Sequence, residues 1–201
     1  MTSHAHDASG MYGMHGTGDG LGSMAASATL HCLTGCAIGE IAGLVIGAAA
    51  GLGNGWTIVV SIALAFVFGF SLSSLPLLRA GLGLGAALSV VVAADTLSIA
   101  TMEVADNVVV ALVPGAMDAG LVDAVFWLSM AVALTAAFAA AFPVNRALLR
   151  RGKGHALTHE YHHGGDAPTG ARRFIPAIAT STLATALVAF MAGGLLVALA
   201  A

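Results

Sequence analysis

A chain of 201 residues with 58% hydrophobic and only 8% charged side chains is far poorer in charge than a soluble domain, which carries about a quarter. Seven Lys and Arg against ten Asp and Glu leave a net charge of −3 and exclude a phosphate-tracking nucleic-acid surface. Two cysteines are too few for the disulfide framework of a secreted domain.

The apolar residues lie in blocks of about 20 or more, the length that crosses a bilayer, so the expected fold is all-α: a polytopic membrane bundle of about five transmembrane helices. Residues 1–28 precede the first block as a Gly-, Ser-, His- and Met-rich segment with neither helical nor strand periodicity, expected to be a disordered cytoplasmic tail. It holds no Lys or Arg, so it does not resemble a cleavable signal peptide, and the first block is expected to act as an uncleaved signal anchor. The spans are expected at about 29–52, 56–78, 83–113, 120–142 and 174–199, with a polar loop at 150–171. Pro114-Gly115 stops the third span and Pro143 the fourth.

Orientation follows from charge. Arg79, Arg146, Arg150, Arg151, Lys153, Arg172 and Arg173 all fall in the second-to-third and fourth-to-fifth connections, which five spans place on one side. The positive-inside rule makes that side the cytoplasm, so the N-terminus is expected inside and the C-terminus outside, in the inner (plasma) membrane of a bacterium.

In the first span Gly35, Gly39, Gly43, Gly47 and Gly51 recur every four residues, a stripe that lets another helix backbone approach closely. It predicts tight packing inside the bundle, or assembly with a second copy or another membrane protein. Cys32, Cys36 and Glu40 share a stripe within about 80° of arc on the same helix, with His31 at its start. Two thiols, an imidazole and a carboxylate suit a soft or borderline metal ion.

The third span carries Asp95, Met102, Glu103, Asp106 and Asn107. Each acid near a helix centre costs about 2.5–3.5 kcal/mol of insertion, roughly 8–10 for three, against roughly 4–8 returned by the 13 Leu, Ile and Val residues from Leu84 to Val113. Such a helix cannot face lipid all round; its acids must point into the bundle. Glu40 lies at a comparable depth, so the first and third spans can share a polar site.

Outside the spans, Met11, Met14 and His15 offer thioethers and imidazole, ligands that favour Cu(I). The tail they sit in resembles the Met/His-rich arms of eukaryotic high-affinity copper transporters. If the loop at 150–171 is briefly helical, His155, His159 and His162 or His163 share a face, as imidazoles do in zinc, nickel or copper sites. That loop is similar to the His-rich cytoplasmic loops of zinc and nickel transporters. His31-Cys32-x-x-x-Cys36 with its glycine stripe, Met102-Glu103-x-x-Asp106-Asn107 and Pro143-Val144-Asn145-Arg146 together resemble an uncharacterised bacterial multi-pass membrane family, a domain of unknown function. The resemblance implies a membrane protein and no established activity.

The resulting expectation is a protein that binds or transports a transition-metal cation, copper before zinc or nickel, and not an enzyme. A non-transporting membrane subunit, or a proton-coupled carrier of a small organic solute, are the alternatives. The last would depend on Glu103 and Asp106 but not on Cys32 or Cys36.

Overall fold

The five hydrophobic blocks become five long helices in a computed structural model that describes residues 17–151 and 170–201. They are α1 (Thr17–Ala49), α2 (Asn54–Arg79), α3 (Leu84–Leu112), α4 (Ala124–Arg150) and α5 (Thr180–Ala200), with short 3-10 turns at Ala116–Asp118 and Gly170–Phe174. Among the described residues all five are long and apolar enough to cross a membrane, so the chain is a multi-pass membrane protein. Large aliphatics project outward, Val67, Leu97, Val104, Val132 and Val188 among them, while small side chains, Ala above all, fill much of the interior.

Several hydroxyls within the spans are satisfied locally. Ser71, Ser89, Thr96, Thr101 and Thr135 each donate to the carbonyl four residues earlier, which keeps exposed polar groups paired within an apolar setting.

Three boundaries differ from the sequence reading. Helix α1 begins at Thr17, not near 29, so the segment expected to close a disordered tail is partly helical. Its Ala and Ser residues are small side chains that pack in a bundle: Ala25 and Ala28 are buried, and Ser27 shares a 2.7 Å hydrogen bond with Thr180 of α5. Helix α4 runs through Pro143 to Arg150. The proline removes one backbone hydrogen bond, yet the turns beyond it are held because they bury Asn145 and Leu149. The last span starts at Thr180 rather than 174, after Pro176 and a non-helical stretch; there the Arg79 guanidinium donates to the Ile175 carbonyl at 2.6 Å.

The glycine stripe is consumed inside the chain. A methyl group added at Gly35, Gly39, Gly43 or Gly47 would overlap Gly69, Ala65, Ser61 or Thr57 respectively, all on α2. The two helices therefore cross as antiparallel backbones in contact, each presenting a small residue every four positions. Gly51 lies beyond α1, in the turn to α2, where its φ of 64° favours glycine. The stripe expected to serve a second copy or a membrane partner is thus covered by α2.

Candidate functional site

Helices α1 and α3 run side by side in the same direction, and their polar residues meet as rungs. Asp95, Met102, Glu103 and Asp106 all turn inward and are buried, as the insertion cost requires. On α1, Cys32 and Cys36 are buried and both are free thiols. Cys32 faces Asp95 and Ser98, Cys36 faces Glu103, and Glu40 faces Asp106 and Glu103. The shared polar site between the first and third spans is therefore formed.

At the Glu40 end the rungs open onto a cavity of about 370 Å³. Its walls include Glu40, Glu103, Asp106 and Asn107, and it widens past Thr57, Ile58, Ser129 and Met130 toward Asn54 and Asp118 in the connections at that end of the bundle. Asn54 Nδ2 donates to Asp118 Oδ1 at 3.0 Å, joining the start of α2 to the α3–α4 connection. Of the described residues lining the cavity, four bear carboxylates and none is Lys, Arg or His.

The carboxyl oxygens are short of donors. Both oxygens of Glu103, Asp106 Oδ1 and Glu40 Oε1 are buried with no well-aligned hydrogen-bond partner among the described residues, although the Cys36 thiol stands beside Glu103. Asn107 Nδ2 donates to the backbone carbonyl of Glu103, and Ser61 Oγ to that of Glu40, so neither serves a carboxylate. Buried carboxyls crowded in this way need a proton or a cation between them.

Toward the basic end, a second polar cluster joins α1, α3 and α4. Asn145 Nδ2 donates to Thr29 Oγ1 and to Ser98 Oγ, each at 2.9 Å, and Thr29 Oγ1 donates to the Ala25 carbonyl at 2.7 Å. The Cys32 thiol lies against Ser98 and against Ser73 of α2. Sequence reading singled out neither Asn145 nor these hydroxyls as a site. The available signal was an Asn in an otherwise apolar stretch, hidden by treating Pro143 as the end of its helix.

Among the described residues no group of three or more His, Cys, Asp and Glu side chains is arranged to hold a metal ion. The stripe meets α3 at successive depths: Cys32 beside Asp95 and Ser98, Cys36 beside Glu103, and Glu40 beside Asp106 and Glu103. His31 sits at the side of this stripe, its Nδ1 2.9 Å from the Ser27 carbonyl oxygen. Met102 packs in the core with Cys32, Cys36 and Met130. Met11, Met14, His15, His155, His159, His162 and His163 lie outside the described residues.

A family model described as a domain of unknown function (DUF4396) matches residues 23–154, the stretch that carries most of α1 and all of α2, α3 and α4. No curated protein and no solved structure matches the chain.

Proposed function

The chain belongs to the DUF4396 family, and from the acidic cavity that its matched segment encloses we propose that this domain is a carrier of a small organic cation, exchanged against protons. The observation that carries the reading is the convergence of Glu40, Glu103 and Asp106, whose buried oxygens are short of aligned donors, on a cavity whose described lining holds no basic side chain. A volume of about 370 Å³ suits a small molecule more than a bare ion, and Leu44, Ile58, Val110 and Phe126 would cover an apolar body while the carboxylates meet the charge. Two charge carriers that compete for the same carboxylates cannot occupy them together, which is the elementary requirement for exchange. With the basic connections in the cytoplasm, the cavity mouth at Asn54 and Asp118 would face outward.

The sulfur atoms of Cys36, Met102 and Met130 beside this site favour, as a second reading, a soft cation such as Cu(I). Thermal unfolding of the purified full chain with methylammonium, choline, tetraethylammonium, Cu(I), Zn(II) and, as an anionic control, glutamate separates the two. At about 100 times its Kd a ligand adds about 2.7 kcal/mol, which raises the Tm by about 5–10 °C in a chain of this size. An organic cation should produce that shift in wild type and lose it in Glu103→Gln and Asp106→Asn. Stabilisation by Cu(I) alone, lost in Cys36→Ser, selects the second reading. No response to any cation removes both, and an organic-cation response that is equal in Glu103→Gln removes the first.

A further inference from the structure

The cavity uses only the upper half of the ladder between α1 and α3. Below it, Asp95 is fully buried beside Cys32 of α1, and Cys32 in turn adjoins Ser73 of α2 and Ser98, which accepts from Asn145 of α4. Nothing in cation binding at the cavity needs a carboxyl there. Its position has a consequence for the proton, because the spacing from Glu103 to Asp95 is bridged by groups that carry exchangeable protons. Cys36 stands beside Glu103, Cys32 is the next thiol along the same face of α1, and Cys32 in turn stands beside Asp95 and Ser98. The buried Ser73 hydroxyl adjoins Cys32 with no well-aligned partner for its oxygen. Beyond this cluster the chain reaches its basic end, where Arg146, next to Asn145, has a buried Nε without a partner among the described residues.

We propose that Asp95, held within the Thr29–Cys32–Ser98–Asn145 cluster, is a second proton-carrying carboxyl that receives protons from Glu103 and passes them toward the basic end of the bundle. This rests on the exchange reading of the cavity. The transfer balances as one proton moved: the Glu103 carboxylic acid gives its proton to Cys36 as Cys36 gives its own to Cys32, and Cys32 gives its own to Asp95. Both cysteines end as thiols, Glu103 as a carboxylate and Asp95 as a carboxylic acid. No redox partner is needed. The route separates binding, which belongs to Glu40, Glu103 and Asp106, from proton passage, which also requires Asp95.

The test uses the full chain in lipid vesicles loaded with a pH-sensitive dye, with methylammonium, choline and tetraethylammonium each as probe. Asp95→Asn should keep the cation-induced Tm shift of wild type while proton flux driven by the probe falls roughly a hundredfold, the scale of a lost proton-transfer group. Asp95→Glu, which restores a carboxyl, should recover much of that flux. Glu103→Gln should lose both the shift and the flux. Proton flux in Asp95→Asn equal to wild type, with Glu103→Gln inactive, overturns the relay and leaves the cavity reading intact. Unchanged behaviour of Glu103→Gln overturns the cavity reading itself. If Asp95→Asn does not fold, infrared difference spectra of wild type between proton-loaded and unloaded vesicles decide the matter. A carboxyl band that changes with proton loading in wild type and moves in Asp95→Glu supports the relay; carboxyl bands identical in wild type and Asp95→Glu overturn it.

Discussion

Gly39→Ala tests the closest approach of two helix backbones in the bundle. The added methyl would overlap the backbone nitrogen and Cα of Ala65, and backbone cannot swing aside as a side chain can. Inserting a methyl into a packed interior costs about 1–3 kcal/mol, and a rigid backbone neighbour puts this site at the upper end. Alanine's better helix propensity offsets about 1 kcal/mol of that. The net expectation is a loss of about 1–2 kcal/mol, a five- to thirtyfold shift in the folding equilibrium. Gly22→Ala in the same helix meets nothing within 4 Å and should show only the propensity gain. The two substitutions thus differ in sign although they are chemically identical. The assay is reversible unfolding in mixed micelles by titration with SDS, followed by helical circular dichroism. Gly39→Ala at or above wild-type stability would show that α1 and α2 are not in backbone contact, and the seam with Gly35, Gly43 and Gly47 would fall with it.

Two further substitutions probe the other helices. Asn145→Ala removes two 2.9 Å hydrogen bonds, while Thr29 keeps its own bond to the Ala25 carbonyl, so the same titration should show a loss of about 1–3 kcal/mol. A loss below about 0.5 kcal/mol would mean that the amide does not tie α1, α3 and α4 together. Gly194→Leu drives a side chain into the ring of Trp127 and should displace α5, whereas Gly193→Leu meets nothing within 4 Å. In a Trp56→Phe background the Trp127 emission should shift only for Gly194→Leu; equal spectra would contradict the α4–α5 contact.

Much of this was legible in the sequence, for identifiable reasons. The inward turn of Asp95, Glu103 and Asp106 follows from what it costs to expose a carboxylate to lipid, and that argument needs no coordinates. The glycine stripe announced a close approach, but its partner did not announce itself. Thr57, Ser61, Ala65 and Gly69 keep the same period on α2 with mixed chemistry, so a search for glycines alone passes over them. For Cys32, Cys36 and Glu40, composition records which donors exist and not their surroundings: each meets different groups of α3. Asn145 was obscured by Pro143: a rule taken from water-soluble helices, that proline ends a helix, is weaker where neighbouring helices hold the next turn in place.

The polar interior and the glycine seam depend on one another through α1. Its most apolar window is 44% buried, the largest share of the five spans, against 6% for α5. A membrane helix enclosed to that extent can use small residues for close approach, and α1 turns glycines to α2 and thiols and a carboxylate to α3. The glycine face brings α2 close enough for Ser73 to reach Cys32, and the short thiol side chains of the other face leave room for the acids of α3. Helix α3 answers with the opposite arrangement, its carboxylates inside and Leu97, Val104 and Val108 outside. A bulky residue on either face of α1 would separate α2 or α3 from it. The carboxylates would then lose the enclosure that makes their burial tolerable, which is why the chain carries its smallest side chains on the helix at its centre.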